Sequence, residues 1–456
     1  MTTPRATREH ATATAVTPEE VTPVQVAPAE VAPVQVTAKH VLFVTWKTGN
    51  APAFEAAKRL GHQVTLIRSL RMEKSQNIDF DASPYGAFVD SVHVLDDATD
   101  HEALRACVLD VHRRRPVDGF VATVDALVVP VAEIAEEIGV PFTAVRGARA
   151  AKLKHRCREV LAAAGVDSTR HTVVTGFDEA AAFAATTGYP VVVKPARGSA
   201  SEGAHVVPDE AALRETVARA VGDEVTYEAG ILVEEYLTGR FVSAEIGLSR
   251  GRFLPLAVSE RSTWDRHEAL ETGTTIPAAI GAADHAAVMA FAEAVVGALD
   301  LRLGIFHVEI MLGADGRPRL IELNPRIMGS CLPNLYRLAG GGDIFDLLVR
   351  VHLDEEIEPR TPTFDRYATV RWFGAADPAP RPDRWPALDW AATDYGDSLH
   401  ALTVRFPDGD VLPACRGNLG NFGEVQVVHA DHATSIGIAE QIVERTADLL
   451  GIEVTG

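Results

Sequence analysis

Short apolar runs alternate with amphipathic stretches from His40 onward, which is the pattern of strands that alternate with helices. This alternation predicts a small doubly wound parallel sheet in an N-terminal α/β domain over residues 38–148. The predicted strands are residues 40–44, 62–67, 91–95, 119–121 and 141–145, and the predicted helices are residues 51–60, 101–113 and 127–138.

The middle of the chain has the pattern of two further units. Residues 149–229 predict a small α+β lid subdomain, which begins with one helix over residues 150–164. Residues 230–359 predict a subdomain on a central antiparallel sheet, and we expect the strand over residues 231–237 to open that sheet.

The two ends of the chain differ in character. Residues 1–37 repeat a V-x-P-x-[QE]-V hexad, and proline at this density predicts a disordered or extended arm, with a docking element as the alternative. Residues 360–456 predict a C-terminal α+β subdomain. It includes a hairpin over residues 399–412 that turns at Asp408-Gly409.

Composition narrows the classes of partner. The 456 residues carry a formal net charge of −20, which argues against nucleic acid and against an anionic membrane surface. The four cysteines lie far apart without CxxC spacing, so neither a zinc site nor a disulfide framework is indicated. No apolar run reaches the roughly 18 residues that span a bilayer. We therefore expect a cytoplasmic protein.

A predicted hairpin carries the strongest chemical signal. Alternating runs at residues 306–312 and 317–323 are joined by Ala314-Asp315-Gly316, a strong turn signal. Side chains two residues apart share one face of a strand, so Glu322 and Asn324 point the same way.

Glu309 lies in the middle of the first strand of this hairpin, and Arg326 follows the end of the second. Two carboxylates, an amide oxygen and a guanidinium on one surface suit Mg²⁺ that bridges nucleotide phosphates. The predicted metal ligands are therefore Glu309, Glu322 and Asn324. An exposed hairpin with solvated charges is the alternative, and the apolar residues around the carboxylates make it the weaker interpretation.

Two further segments suggest a nucleotide site. In residues 191–207, a strand with Lys194 leads into a loop that contains Gly198, Ser199, Ser201 and Gly203. Loop glycines let backbone N–H groups approach phosphate oxygens, and the lysine supplies a point charge. A hairpin loop with one exposed lysine is the alternative.

The second of these segments is the strand ILVEEYL, residues 231–237. Its end can offer backbone groups to an adenine, while a carboxylate meets the adenine amino group or the ribose. On its own the motif is weak. Its position between the lysine loop and the predicted metal hairpin strengthens it.

Taken in this order, the three motifs resemble the ATP-grasp superfamily over roughly residues 40–350. The segment LKHRCREVLAAAGV, residues 153–166, also resembles the helix that precedes the lid in that family, and matches it at Lys154 and Arg158. Residues 268–280 resemble a substrate segment of the dipeptide-forming amino-acid ligases, with Thr274 where that group has a histidine.

The resemblance implies a fold, cofactors and roles for individual residues. The implied fold is α/β and α+β, with a doubly wound N-terminal domain, a mobile ATP lid, a central antiparallel sheet and a C-terminal α+β subdomain. The implied cofactors are ATP and Mg²⁺, with Mn²⁺ as an alternative. The implied ATP contacts are Lys154, Lys194, Gly198, Ser199, Ser201, Gly203, Glu234, Glu235, Tyr236 and Leu237. Arg326 and Lys194 are the implied catalytic residues, and Glu271, Thr274 and Gly329 are the candidate substrate contacts.

One departure from the family pattern concerns the ribose. Members often carry a ribose-binding glutamate in a G-x-E-F context after the EEYL-like strand, whereas this chain has Gly239-Arg240-Phe241-Val242. Glu235 or Glu245 could replace that glutamate.

The activity implied by the resemblance is an ATP-dependent carboxylate–amine ligase that forms an amide through an acyl phosphate and releases ADP and phosphate. Its partners would be small carboxylates and amines, with an amino acid among them, and a homodimer is an open expectation. The alternatives are a biotin-carboxylase-like enzyme, a glycinamide ribonucleotide synthetase-like enzyme, and a nucleotide-binding regulator without turnover.

Overall fold

The computed structural model describes residues 37–76, 78–81, 83–198, 201–264, 266–382, 387–406 and 409–455. The repeats of the predicted N-terminal arm and Asp408 of the predicted C-terminal hairpin lie outside these residues. The chain from Ala38 onward forms one compact unit. Within the described part, no helix has both the length and the apolar character that a membrane span requires.

The first unit of the fold is an α/β domain with a parallel sheet in the order β3-β2-β1-β4. Alternate residues of the first strand pack on opposite faces, Phe43 with the first helix and Leu42 with the third and fourth helices. Helices on both faces confirm the predicted doubly wound sheet. The elements are β1 (His40–Val44), α1 (Pro52–Arg59), β2 (Gln63–Ser69), α2 (Leu70–Ser75), β3 (Ser91–Leu95), α3 (His101–Arg114), β4 (Gly119–Ala122) and α4 (Asp125–Ile138).

The prediction of a strand over residues 141–145 is wrong. Residues 141–144 pair with no strand of the described chain, and Val145 opens a helix, α5 (Val145–Lys152). Pro141 lacks the backbone N–H that a sheet ladder needs. The parallel sheet therefore ends at β4.

The single helix predicted over residues 150–164 is divided in two. Leu153 separates α5 from α6 (Lys154–Ala163) with extended dihedral angles of φ −107° and ψ 101°. The Lys154 amide donates to the Ala196 carbonyl at 2.9 Å instead of continuing a helix. This break places Lys154 at the start of α6, beside the strand that carries Lys194.

The lid is a four-stranded antiparallel sheet in the order β5-β8-β6-β7, and its two helices share one core with it. The predicted boundary at residue 229/230 is wrong, because β8 bonds to β5 on one side and to β6 on the other. The strand predicted to open the catalytic sheet thus completes the lid. The elements are β5 (His171–Val174), α7 (Phe177–Thr187), β6 (Val191–Pro195), β7 (His205–Val207), α8 (Glu210–Gly222) and β8 (Ile231–Glu235).

The remaining strands build one large antiparallel sheet in the order β13-β12-β9-β10-β11-β14-β18-β16. One helix (Ala282–Ala298) packs on one face of this sheet, and two helices (Leu332–Leu338 and Ile344–His352) pack on the other. The elements are β9 (Arg240–Ser249), β10 (Arg252–Trp264), β11 (His267–Ile276), α9 (Ala282–Ala298), β12 (Gly304–Leu312), β13 (Pro318–Asn324), α10 (Leu332–Leu338) and α11 (Ile344–His352).

The C-terminal part extends this sheet through β11, which pairs with β14. The predicted hairpin over residues 399–412 is wrong, because β16 pairs with β18 while β17 pairs with β15. The elements are β14 (Tyr367–Phe373), β15 (Ala379–Pro380), α12 (Asp389–Tyr395), β16 (Leu399–Val404), β17 (Val411–Leu412), β18 (Gly423–His429) and α13 (His432–Leu450).

Alternation along β12 separates a core face from a polar face. Phe306, Val308 and Ile310 share a buried core with α9, whereas His307 and Glu309 lie on the other face of the strand. The core behind the strand fixes its backbone. The polar residues therefore form a rigid floor that faces the lid.

Candidate active site

A cavity of about 610 Å³ lies between the lid sheet and the polar face of the large sheet. It brings together lysines from the lid and carboxylates from the β12–β13 hairpin, which are far apart in the sequence. The predicted site residues that line it are Lys154, Lys194, Gly198, Ser201, Glu234, Glu235, Tyr236, Leu237, Glu271, Glu309 and Glu322.

The predicted metal ligands lie on one face of the β12–β13 hairpin. Glu309 and Glu322 are direct cross-strand partners, and Asn324 pairs in register with His307. The Asn324 amide nitrogen donates to Glu309 Oε1 at 3.3 Å. Among the described residues, no three His, Cys, Asp or Glu side chains form a metal-binding group. Two carboxylates and one amide nevertheless supply the hard oxygen donors that suit Mg²⁺.

The two lid lysines stand opposite these carboxylates. Lys154 Nζ lies 3.1 Å from Glu322 Oε1 and donates to the Gly198 carbonyl at 3.1 Å. Lys194 Nζ lies 2.6 Å from Glu234 Oε2. Burial lowers the pKa of Lys194, although Glu234 opposes this shift. Both ammonium groups can meet phosphate oxygens that enter the cavity.

Glu234 anchors the lid to the catalytic hairpin through Arg158. Arg158 Nε donates to Glu234 Oε1 at 2.7 Å, and its Nη1 donates to the Leu320 carbonyl at 2.6 Å. Burial favours the neutral acid, but Arg158 and Lys194 outweigh it and lower the pKa of Glu234 to about 2. The Glu234 carboxylate is therefore ionised and held between the Arg158 and Lys194 cations.

The two candidates for the ribose contact differ in access. Glu245 has no exposed surface, does not line the cavity and accepts from His307, so the suggestion that it binds ribose is wrong. Glu235 does line the cavity and accepts from Arg319 at 2.6 Å. Glu260 also lines the cavity and was not expected from the sequence.

The glycine loop after β6 has two kinds of glycine. Gly198 lines the cavity, whereas Gly203 does not. Gly203 has a φ of +70°, and a Cβ there would lie 3.0 Å from Pro195 Cγ and from the Tyr227 hydroxyl. Gly203 therefore shapes the loop. Its backbone carbonyl accepts a hydrogen bond from the Tyr227 hydroxyl at 2.6 Å. Ser199 lies outside the described residues.

His307 is a buried residue of the floor that the sequence reasoning missed. Its ring nitrogens lie 2.7 Å from Glu245 Oε1 and 3.2 Å from Glu309 Oε1. Burial disfavours the imidazolium, but the two carboxylates outweigh it and raise the pKa of His307 to about 9. The position two residues before Glu309 on one strand face could have identified it.

The predicted substrate residues are only partly brought together. Glu271 lines the cavity and bonds to Arg261, whose guanidinium also lies 3.4 Å from His307. Burial raises the pKa of Glu271, although Arg261 opposes the rise. Thr274 and Gly329 do not line the cavity, and Thr274 is completely buried with no hydrogen-bond partner for its hydroxyl among the described residues.

Arg326 lies beside the hairpin, held by a residue of the first domain. Its Nε and Nη2 lie 2.8 and 2.6 Å from Asp125 Oδ2, and its Nη2 lies 3.5 Å from Asn324 Oδ1. A Cβ on Gly329 would lie 3.7 Å from Arg326 Nη1, an ordinary van der Waals contact, so the space at this position does not require a glycine. Asp125 was not expected from the sequence.

Two family models match this chain. A model described as the ATP-grasp N-terminal domain matches residues 54–142, and a model described as the ATP-grasp domain matches residues 187–334. The second match spans the lid strands β6–β8, the glycine loop and the β12–β13 hairpin. The predicted ATP-grasp fold is confirmed.

Similar proteins and structures include amino-acid ligases. Alanine–anticapsin ligase of Bacillus subtilis (strain 168) is 24% identical over 244 residues, which are 49% of this chain and 51% of that protein. The chain thus spans about half the length of this curated relative.

Among solved structures, L-amino acid ligase from Bacillus licheniformis gives a TM-score of 0.73 at 19% identity, over 89% of this chain and 97% of that one. Phosphoribosylglycinamide synthetase from Anaerococcus prevotii gives 0.63 at 16% identity, over 90% and 98%. At these identities the structural likenesses bear on the fold alone.

Proposed function

We propose that this chain, which belongs to the ATP-grasp superfamily, is an ATP-dependent carboxylate–amine ligase that uses an amino acid as one substrate. The reaction would phosphorylate a carboxylate with ATP and then let an amine displace the phosphate. The products would be an amide or a peptide, ADP and phosphate. Similarity to alanine–anticapsin ligase supports the amino-acid preference.

One observation carries this proposal: two lysines and two oxygen-donor carboxylates face one another across a single cavity. Lys154 begins α6 and Lys194 lies on the lid strand β6, whereas Glu309 and Glu322 come from the floor. Phosphoryl transfer needs charge neutralisation and positioning more than covalent help from the protein. An arrangement with fixed cations above and metal-binding oxygens below meets both needs.

The phosphates would lie between the lid lysines and the hairpin. Lys194 is anchored by Glu234, and Lys154 by Glu322, so both ammonium groups are positioned before a ligand arrives. Glu309, Glu322 and Asn324 would hold Mg²⁺, or Mn²⁺ in its place, which would supply charge neutralisation at the phosphate oxygens. A phosphate oxygen can replace Glu322 as the partner of Lys154.

The acyl-transfer step would involve Arg326. Asp125 orients the guanidinium through one oxygen, and Arg326 Nη2 also donates to Asn324 Oδ1 of the hairpin at 3.5 Å. A fixed cationic donor stabilises the oxyanion that forms when the amine attacks an acyl phosphate. The adenine would lie near Tyr236 and Leu237 at the end of β8, with Glu235 beside the ribose.

Glu271 and Arg261 would contact the substrate at the other end of the floor. They form a buried pair whose carboxylate lines the same cavity as Glu309. Thr274 lies on the same strand but behind the cavity wall, so we assign it a packing role. Cytoplasmic location and a homodimer remain predictions.

The experiment that tests the proposal is ADP and phosphate release over a matrix of amino acids and small carboxylic acids, with mass detection of products. Amino-acid-dependent ADP release with a condensed product would support the ligase. Dependence on bicarbonate and biotin, or on a phosphoribosylamine, would select the carboxylase-like or purine-precursor alternative. Formation of AMP and pyrophosphate would refute the acyl-phosphate mechanism.

A further inference from the structure

The parallel sheet of the first domain has a topological switch point between β1 and β4. From β1 the chain moves outward through β2 to β3, and then returns to place β4 on the other side of β1. The loops that follow β1 and β4 therefore leave in opposite directions. In open α/β sheets, ligands bind in the crevice that such diverging loops create at the carboxyl ends of the strands.

The two loops at this crevice carry charged residues. Thr45 follows β1 and Thr123 follows β4, and the Thr123 hydroxyl donates to the Thr45 hydroxyl at 2.8 Å across the crevice. Lys47 comes two residues after Thr45, and Asp125 comes two residues after Thr123. The switch point is thus flanked by one cation and one anion.

Two more cations reach the same place from other elements. Arg326 Nη2 lies 2.6 Å from Asp125 Oδ2, and Lys152 Nζ lies 3.7 Å from Asp125 Oδ1. The side chains of Arg326, Lys152 and Asp125 are only 12–15% exposed. The charges that act on the half-buried Lys47 ammonium are those of Arg326 and Asp125.

Within the described residues, Lys47 is the cation of this crevice that has no ion pair closer than 4 Å. Arg326 and Lys152 pair with Asp125, and Glu322 also acts on the charge of Lys152. Burial lowers the pKa of Lys47 and of Lys152, so the surroundings disfavour both charges. A partly buried cation without a partner, such as Lys47, is stabilised when an anion binds beside it.

This crevice is continuous with the catalytic floor. Arg326 connects Asp125 to Asn324, and Glu322 acts on the charge of Lys152. The β1–α1 loop is packed tightly against the loop after the hairpin, because a Cβ on Gly49 would lie 2.9 Å from the Ser330 carbonyl. The crevice and the floor therefore share the Arg326 guanidinium, which contacts Asp125 on one side and Asn324 on the other.

We propose that Lys47 and Lys152, together with Arg326, bind a substrate carboxylate other than the one that ATP activates. The assignment rests on the proposed ligase function and narrows it, since the substrates together would carry a carboxylate besides the activated one, as when the amine is a free amino acid. Lys47 is then a specificity-determining residue that the ATP site does not need.

The test compares each amino acid that serves as the amine with its primary amide, at a fixed concentration of the carboxylate that ATP activates, in the wild type and in Lys47→Met. Losing a charge-assisted hydrogen bond raises KM by about 10- to 100-fold. We expect this rise for the acid and an unchanged KM for the amide. Lys47→Arg should restore most of the preference for the acid over the amide. Lys74→Met, at an exposed lysine of the same domain, should match the wild type.

A second measurement does not depend on turnover. Succinate binding is measured by calorimetry at constant ionic strength, with Mg²⁺ and ADP present to fill the nucleotide site. Lys47→Met should weaken this binding about 10-fold or more, whereas Asp125→Asn should strengthen it because Asp125 competes for the same cations.

The outcomes separate the two proposals. If no acid or amine supports ADP release, the ligase function fails, while succinate binding that Lys47→Met weakens would still support the anion site. If turnover occurs and Lys47→Met changes KM equally for acid and amide, or not at all, the anion site is overturned. Tighter binding of inorganic phosphate than of succinate would overturn the carboxylate assignment.

Discussion

The Lys154 ammonium lies 3.1 Å from Glu322 Oε1, so an ion pair joins the start of α6 to the hairpin that carries the predicted metal ligands. Both side chains are mostly buried, with 12% and 23% of their surfaces exposed. A bound metal would compete with Lys154 for the Glu322 carboxylate and release the lysine to the phosphates. The ion pair thus holds the carboxylate in position for the metal and the ammonium group in position for the phosphates.

The first prediction is that Glu322→Gln abolishes ATP turnover. The amide cannot supply an anionic ligand, so ADP release should fall at least about 100-fold while the melting temperature changes little. Asp315→Asn, an exposed carboxylate at the turn of the same hairpin, is the matched control and should retain activity. ADP release by Glu322→Gln at the wild-type rate would remove Glu322 from the metal site.

The second prediction concerns the buried link between the lid and the hairpin. Arg158→Met removes the hydrogen bonds to Glu234 and to the carbonyls of Leu320 and Ile321. We expect a loss of about 3 kcal/mol in the free energy of unfolding, at the lower end for a broken buried pair because Lys194 still neutralises Glu234. Urea denaturation measures this loss.

The control for that measurement is Arg156→Met, two residues earlier on the same helix. Arg156 is 62% exposed and pairs with Glu159 one turn along. Exposed pairs of this kind contribute at most about 0.5 kcal/mol. Equal losses for the two variants would show that the Arg158 network does not hold the lid to the hairpin.

The features that sequence reasoning could predict are those encoded locally. The alternation around Glu309 and Glu322, with a glycine turn between them, fixes a hairpin and its polar face without reference to the rest of the chain. The same holds for Lys194 and its glycine loop. His307 was open to the same reasoning, since it shares the strand face of Glu309.

Features that depend on distant contacts could not be predicted in this way. The strand pattern of residues 231–235 does not specify a partner, and the lid strands pair with it in preference to the large sheet. Asp125 lies 201 residues before Arg326, and no local period connects the two. Tertiary packing decides such contacts, because the local sequence of a strand or of a charged residue is compatible with several different partners.

The third prediction is that Arg326→Ala lowers product formation far more than it lowers stability. Loss of a preorganised donor to an oxyanion costs about 100- to 1,000-fold in rate. The affinity for ATP, measured by calorimetry, should change less than the rate of product formation. Arg317→Ala, at an exposed arginine of the hairpin turn, is the control. Product formation by Arg326→Ala within a few-fold of the wild type would leave Arg326 as a partner of Asp125 only.

The fourth prediction concerns acid stability and His352, which is buried at the end of α11. Burial lowers the pKa of His352 to about 4 from 6.5. The unfolded chain therefore binds the proton more readily between these values. The stabilising contribution is complete above pH 6.5 and decreases as the pH falls towards 4. Between pH 7 and 5 the loss in the free energy of unfolding should be roughly 2 kcal/mol.

Urea denaturation tests this prediction. His352→Gln should lose correspondingly less stability between pH 7 and 5, whereas His400→Gln, at an exposed histidine, should follow the wild type. Equal losses in all three proteins would show that His352 does not couple proton binding to unfolding.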